Sequence, residues 1–146
     1  MRDSGTYALV VKSSTCLRLQ VGRLGIYSLL PGYYVYVGSA LSGLSGRLMH
    51  HLRPEKRLHW HIDYLLQEAK VAKIWYSFGQ DKLECIWNMI VRDLPEAISY
   101  IPGFGSSDCQ CPSHLTYFPK SPPFHYFNHK LRQSKLTQAH QLNLTK

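Results

Sequence analysis

The sequence predicts an α+β fold in which a small N-terminal antiparallel sheet is followed and flanked by helices. Short runs of β-branched and apolar residues, separated by turn signals, occupy the first third of the chain. Apolar residues then recur at helical spacing in three segments between residues 42 and 94. One more β-branched run, VAKIWYSF from Val71, separates the second of these segments from the third.

The strands are predicted in chain order. GTYALVVKS from Gly5 is a short apolar run, and CLRLQVG from Cys16 alternates apolar and polar side chains, which is typical of a half-buried strand. Pro31-Gly32 indicates a turn before the strand YYVYVG. VAKIWYSF follows later, and HLTYF from His114 is predicted as the last short strand.

Three helices are predicted. The first covers 42–52 and ends before Pro54, which cannot continue a helix. The second is HWHIDYLLQEA from His59, and the third is DKLECIWNMIVRDL from Asp81, with Ile86 and Trp87 among its inward-facing residues. We divide the chain into a domain at 1–120 and a basic polar tail at 121–146. The tail is expected to be poorly ordered or only partly helical from Asn128, since it shows no sustained apolar face.

Composition narrows the possible functions. A chain of 146 residues with 45% apolar residues fits one domain with a real core. Its formal net charge of +8 favours a polyanionic partner, with nucleic acid ahead of a membrane surface. Four scattered cysteines do not indicate a disulfide scaffold. Neither a signal peptide nor a run of membrane-spanning length is apparent, so we expect a soluble cytoplasmic protein without a membrane partner.

One candidate catalytic residue is Tyr36, which begins the sequence Tyr-Val-Gly at the end of a predicted strand. The next helix carries Arg47, and His51 follows four residues later on the same helix face. Glu84 lies near the start of the third helix. Hydrolysis of a phosphodiester requires a general base, a cation for the phosphoryl oxygens and a carboxylate-bound metal.

In this order of motifs the chain resembles the GIY-YIG endonucleases, and among them the Uri-type subfamily. The resemblance covers Gly5 to about Phe118 and rests on GTYALVV, VGRLG, GYYVYVGSA, HWHIDYLL, the Glu84-Cys85 pair and GFGSSDCQCPSHL. It implies a small three-stranded antiparallel sheet flanked by helices, with an extra hairpin inserted between the two motif strands. The implied reaction is hydrolysis of DNA with one divalent ion, Mg²⁺ or Mn²⁺.

The resemblance also implies a role for each matching residue. Tyr7 corresponds to the general base, Tyr36 to the tyrosine that orients the water, and Arg47 to the arginine on the scissile phosphate. His51 matches a frequent active-site position and Glu84 the metal ligand. The predicted nucleic-acid contacts are Arg47, Arg53, Arg57 and His59.

Two tyrosines compete for the first motif position. The literal Gly-Ile-Tyr ends at Tyr27. Only eight residues separate Tyr27 from Tyr36, and Pro31-Gly32 occupies two of them. Tyr27 is therefore expected in a cramped connection. Choosing Tyr7 makes CLRLQVGRLGIYSLLPG an insertion between the motif strands, and we favour this assignment.

Several assignments have structural alternatives. Tyr34 lies on the same strand face as Tyr36. Asp81 and Glu84 have the spacing of a capping box, in which Glu84 would satisfy a backbone N–H and hold no metal. In HWHID, His59, His61 and Asp63 either line the site or contact DNA, or His59 and Asp63 simply pair with each other, and the spacing does not decide.

The loop SDCQCPSH contains ligand-type side chains at Cys109, Cys111 and His114, and Cys85 offers a fourth. Because this is not one of the common two-knuckle spacings, the sequence favours structural cysteines in a loop over a structural Zn²⁺ site. Asp108 is a further candidate near the site. The alternatives to a nuclease are a catalytically silent nucleic-acid-binding module and a zinc-stabilised interaction domain.

Overall fold

The computed structural model describes residues 3–99, 101–106, 109–134 and 138–144. The described residues form eight strands and four α-helices, with a short 3₁₀ turn at Gly22–Leu24. The strands are β1 Gly5–Ser13, β2 Leu17–Gln20, β3 Ile26–Leu29, β4 Gly32–Ala40, β5 Lys70–Phe78, β6 Ile98–Ser99, β7 Leu115–Phe118 and β8 His140–Asn143. The helices are α1 Leu44–Leu52, α2 His61–Leu66, α3 Glu84–Arg92 and α4 Phe124–Gln133.

The main sheet has six strands in the order β6-β7-β4-β1-β5-β8, and every pairing is antiparallel. The predicted small three-stranded sheet is therefore wrong, although the fold is α+β. The strands β4, β1 and β5 form the centre, and β7 and β8 lengthen the sheet on both sides. The resemblance implied too small a sheet, which β6, β7 and β8, each two to four residues long, extend at its edges.

Strand β1 is central because both of its faces are apolar. Its odd-numbered side chains Tyr7, Leu9 and Val11 enter one core, while Ala8 and Val10 enter a second core on the opposite face. All five are completely buried. Since side chains alternate across a strand, this continuous apolar run is what a strand covered on both faces requires.

A separate two-stranded sheet lies between β1 and β4 in the chain. Here β2 pairs antiparallel with β3, and Leu19 and Leu29 pack into the same core as Tyr7. Tyr27 lies on β3, opposite Leu19. The expectation that Tyr27 sits in a cramped connection is wrong, because the literal Gly-Ile-Tyr leads into a four-residue strand.

Helices cover both faces of the main sheet. α1 and α2 pack over the core that contains Tyr7, and α3 and α4 pack over the other. α1 begins at Leu44 and α3 at Glu84, two and three residues later than predicted. Ile86 is 42% exposed, so its predicted inward orientation is wrong; the buried face of α3 carries Trp87 instead. No helix within the described residues is long and apolar enough to cross a membrane.

The segment predicted as a polar tail packs onto the fold. α4 buries Phe127 and Leu131, and the Phe127 ring stacks on Trp75 with their centroids 4.8 Å apart. β8 pairs with β5, and Trp75 Nε1 donates a hydrogen bond to Gln141 Oε1 at 3.0 Å. The expectation of poor order from Asn128 is therefore wrong for the described part of 121–146, whereas the alternative of partial helicity agrees with α4, which ends at Gln133. Lys135 and Lys146, which also belong to the predicted basic tail, lie outside the described residues.

Phe127→Ala is expected to lower the free energy of unfolding by about 3–5 kcal/mol, since it opens a cavity between two buried tryptophans. The neighbouring Tyr126 is 46% exposed on the same helix and provides the control. Tyr126→Ala should cost less than about 1 kcal/mol. Urea denaturation of both variants measures the difference. Equal small losses would show that α4 does not contribute to the core.

Candidate active site

An open cleft of about 520 Å³ lies where the C-terminal end of β4 meets the N-terminal end of α3. Its volume is in the range of small-ligand sites, and most of its lining is polar. Five separate segments contribute to it: the end of β4, helix α1, the approach to α2, the start of α3 and the loop that carries Gly105. The lining includes Tyr36, Ser39, Arg47, His59, Trp60 and Glu84.

The β1–β4 pairing brings Tyr7 and Tyr36 together. Tyr7 lies opposite Gly38, and Tyr36 lies opposite Leu9, so both rings project from the same sheet face. Their centroids are 6.4 Å apart. The rival hydroxyls point elsewhere: Tyr27 donates to the carbonyl of Leu24, and Tyr34 to that of Leu30.

Gly38, the glycine of the Tyr-Val-Gly sequence, makes room for the Tyr7 hydroxyl. A Cβ atom at Gly38 would lie 2.7 Å from the Tyr7 oxygen, which no real side chain tolerates. Gly38 also lines the cleft. The completely buried Tyr7 hydroxyl therefore lies against Gly38, a cleft-lining residue without a side chain.

His51 is the direct partner of Tyr7. Its Nε2 lies 2.7 Å from the Tyr7 oxygen, and the His51 side chain is 2% exposed. Burial lowers the pKa of His51 to about 3, so the imidazole is neutral at pH 7. Burial likewise raises the pKa of Tyr7 to about 12, opposed by the nearby positive charge of Arg47. The resting pair is thus a neutral phenol hydrogen-bonded to a neutral imidazole.

Asp63 completes this buried arrangement. Its Oδ1 lies 4.0 Å from His51 Nδ1 and 3.4 Å from His50 Nε2. Its Oδ2 accepts the backbone N–H groups of His59 and Trp60 at 2.8 and 2.9 Å, which holds the carboxylate at the start of α2. A carboxylate facing Nδ1 favours the tautomer with its proton there, and Nε2 then accepts from the Tyr7 hydroxyl.

The sequence placed Asp63 only as a site residue or as a partner of His59. The structure bonds it to the backbone N–H of His59 and also brings its carboxylate near the side chains of His50 and His51, which lie on another helix. A spacing rule within one helix cannot find such a pair.

Arg47 is held at the cleft wall by two contacts. Its Nη1 donates to the Ser39 carbonyl at 3.1 Å, and its guanidinium carbon lies 4.5 Å from the centre of the Trp60 ring. Stacking on an indole orients the guanidinium plane and leaves its edge available to an anion. Trp60 was not singled out from the sequence, because it is not titratable and precedes α2 by one residue.

Glu84 opens α3 and faces the same cleft. Its carboxylate accepts a hydrogen bond from Ser39 Oγ at 3.2 Å and lies 3.8 Å from Lys82 Nζ. The N-cap residue of α3 is Leu83, with no side-chain cap hydrogen bond. The capping-box alternative with Asp81 is therefore wrong, and the Glu84 carboxylate is directed at the cleft.

The predicted nucleic-acid contacts separate into two groups. Arg47 and His59 line the cleft. Arg53 and Arg57 are exposed and are not among its lining residues, and Arg53 instead borders a second hollow of about 600 Å³. His61 also lines the cleft, where its Nδ1 accepts the backbone N–H of Gly105 at 2.8 Å.

The loop before β7 forms the remaining wall. Gly105 has a φ of +67°, and a Cβ there would meet the Tyr36 ring at 2.7 Å, so only glycine permits this close approach. The loop also carries three of the four members of a Cys₃His group whose donor atoms all lie within 4.8 Å of one another and can hold a metal ion. The group consists of Cys85, Cys109, Cys111 and His114. Asp108 lies outside the described residues.

Residues 6–136 match the family described as Domain of unknown function DUF123. The chain belongs to the DUF123 family. No curated protein and no solved structure matches the chain significantly. The family description names no activity. The matched residues extend from β1 through α4 of this DUF123 protein.

The buried His51 predicts how the stability of this DUF123 domain depends on pH. Its pKa is about 3 in the fold and 6.5 ordinarily, so the unfolded chain binds an extra proton between these values. The free energy of unfolding should therefore fall as the pH is lowered from about 6.5 towards 3, by up to about 1.4 kcal/mol per pH unit from this residue.

Urea denaturation of the DUF123 protein and of His51→Gln at several pH values measures this dependence. Glutamine can still accept the Tyr7 hydrogen bond but does not titrate. The free energy of unfolding of the variant should fall less steeply as the pH is lowered, by up to about 1.4 kcal/mol per pH unit. Parallel pH profiles for the two proteins would assign the acid sensitivity to other groups.

Proposed function

We propose that this protein is a metal-dependent endonuclease that hydrolyses DNA phosphodiester bonds. The observation that supports this most strongly is a cleft lined by Tyr36, Arg47 and Glu84, with the buried Tyr7–His51 pair packed next to the Tyr36 ring. They come from four elements: Tyr7 from β1, Tyr36 from β4, Arg47 and His51 from α1, and Glu84 from α3. A module that only bound a polyanion would need cations and would have no use for this mixed set.

The cleft suits a phosphodiester. Arg47 offers a planar fork of N–H donors, fixed by Trp60, that matches two oxygens of one phosphate. Lys82 and His59 add polar groups to the rim, and the net charge of +8 favours approach of DNA. Trp60 and His59 also present rings with centroids 4.5 Å apart, next to which a base can stack.

Glu84 is the residue that would hold Mg²⁺ or Mn²⁺. A carboxylate that opens onto a cleft suits these ions, which are bound through one or two carboxylates, water and the substrate phosphate. The neighbouring hydroxyl of Ser39 is a further hard oxygen donor. When bound, the ion would neutralise charge on the phosphoryl oxygens and assist departure of the leaving oxygen.

The proton path runs from the cleft into the protein. The attacking water gives a proton to the Tyr7 oxygen as the Tyr7 hydroxyl proton moves to His51 Nε2 across 2.7 Å. Tyr7 thus stays neutral overall, which its raised pKa favours. Burial disfavours the imidazolium that forms, as the lowered pKa of His51 shows, and the charge of Asp63, 4.0 Å from Nδ1, opposes that effect. Tyr36, on the adjacent strand, positions the water.

Incubation of the purified protein with labelled single-stranded, duplex and branched DNA tests the proposal. We expect cleavage of at least one of these substrates with Mg²⁺ or Mn²⁺, and loss of cleavage when a chelator removes the ion. Matched RNA substrates report whether the activity is confined to DNA. Binding of DNA without cleavage under every metal condition would overturn the enzyme proposal in favour of a catalytically silent nucleic-acid-binding module.

A further inference from the structure

The Cys₃His group joins two separate parts of the chain. Cys85 is the second residue of α3, and the other three members come from the segment that leads into β7. Cys85, Cys109 and Cys111 are all free thiols. In a tetrahedral zinc site the ligand atoms lie about 3.5–3.8 Å apart, so the group needs to contract by at most about 1 Å around an ion.

His114 is already oriented as a ligand. Its ring is completely buried, and Nδ1 lies 2.9 Å from the Val37 carbonyl, so the proton of the neutral ring belongs on Nδ1. Nε2 then presents its lone pair to the cluster, 3.2 Å from Cys109 Sγ. A metal-binding histidine characteristically donates its other N–H to a carbonyl or carboxylate in this way.

Direct hydrogen bonds support the same arrangement. Asn88, one turn beyond Cys85 on α3, donates from Nδ2 to the Ser113 carbonyl at 2.7 Å. The His114 N–H donates to the Phe104 carbonyl at 2.7 Å. Asn88 thereby holds the ligand-bearing segment against α3, and the bond from His114 to Phe104 closes the loop on itself.

We propose that the Cys₃His group binds one structural Zn²⁺ ion. Three sulfurs and one imidazole are soft donors that select zinc over Mg²⁺ or Mn²⁺, which prefer oxygen. Four protein ligands fill a tetrahedral shell and leave no open position for a substrate. The zinc site is thus distinct from the oxygen site at Glu84, and it does not depend on the proposed nuclease activity.

The ion would fix two walls of the cleft at once. Cys85 adjoins Glu84, so anchoring its sulfur sets the first turn of α3 and the direction of the Glu84 carboxylate. The ligand-bearing loop also carries Gly105, which contacts the Tyr36 ring and donates to His61. Zinc in this position is therefore a positioning element for the cleft.

Metal analysis of the full chain, produced with zinc present, tests the proposal directly. We expect about one zinc ion per chain by mass spectrometry, and a fall to near zero in Cys85→Ser and Cys111→Ser. Cys16→Ser is the matched control, since Cys16 is an exposed free thiol outside the group, and it should retain the ion. Zinc-free protein, or equal zinc loss in the Cys16 variant, would overturn the proposal.

A second measurement uses the unmodified protein, so it does not require any variant to fold. Alkylation of the native protein should label Cys16 alone while zinc is bound, and all four cysteines after a chelator has removed it. The chelated protein should also melt at a lower temperature, with recovery on addition of Zn²⁺ and none on addition of Mg²⁺. Labelling of all four thiols before chelation, or recovery with Mg²⁺, would contradict a zinc site.

Discussion

Tyr7→Phe is expected to reduce DNA cleavage by about 10²–10⁴-fold while the fold persists. The change deletes only the hydroxyl that lies beneath Gly38 and 2.7 Å from His51 Nε2. The water then has no acceptor at this place, and His51 is separated from the cleft by a phenyl ring. DNA binding should change little, because Arg47 and Glu84 are untouched. Single-turnover cleavage of one labelled substrate at saturating metal measures the rate.

Tyr27→Phe is the matched control for this experiment. It removes the tyrosine hydroxyl of the literal Gly-Ile-Tyr, which donates to the Leu24 carbonyl, and Tyr27 is not among the cleft-lining residues. Its rate should stay within about a factor of two of the unmodified enzyme, since surface hydrogen bonds contribute little. Melting curves of Tyr7→Phe measure the free energy of unfolding that is lost when His51 Nε2 is left unpaired, which we expect to be about 1–3 kcal/mol. An inactive Tyr27→Phe with an active Tyr7→Phe would reverse the assignment.

Glu84→Gln is expected to lower cleavage by at least about 10²-fold, because the neutral amide no longer holds a divalent ion whose contribution amounts to several kcal/mol. DNA binding should persist or tighten, since a carboxylate that repels phosphate has been removed. Folding should change little, because Glu84 does not cap α3. Paired measurements of DNA affinity and cleavage rate across a Mg²⁺ titration separate these effects.

Glu68→Gln supplies the control of equal chemistry, since Glu68 is exposed and borders a different hollow of the surface. It should cleave at the unmodified rate. Unchanged cleavage in Glu84→Gln would remove the carboxylate from the metal-binding role. Zinc content should be the same in both variants, which separates a failure at Glu84 from a failure at the neighbouring Cys85.

Strands were the part of the fold that the sequence predicted most closely. The GTYALVVKS run was placed at the observed bounds of β1, because an uninterrupted apolar strand between two turn signals has little freedom to be anything else. The helix bounds were less accurate by two or three residues at α1 and α3. The N-cap residues Gly43 and Leu83 supply no capping side chain, so the usual local signal was missing.

The C-terminal segment shows why local pattern failed. Phe124, Phe127 and Leu131 have helical spacing, but histidines, lysine and arginine surround them. The stripe becomes a core only because Trp75 and Trp87 are there to receive it. The same holds for β8, whose residues show no apolar alternation and whose strand exists through pairing with β5.

The sequence by itself determined the residue types of the candidate site and the strand and helix that carry most of them. Spacing within one element placed Arg47 and His51 on one helix face, and the alternation of β1 and β4 directs Tyr7 and Tyr36 to one side of the sheet. Only the tertiary structure decided the contacts between elements: Asp63 with His51, Trp60 with Arg47, and Cys85 with the loop cysteines. Such contacts depend on how helices and loops pack across a sheet, and no periodicity within a single segment encodes that packing.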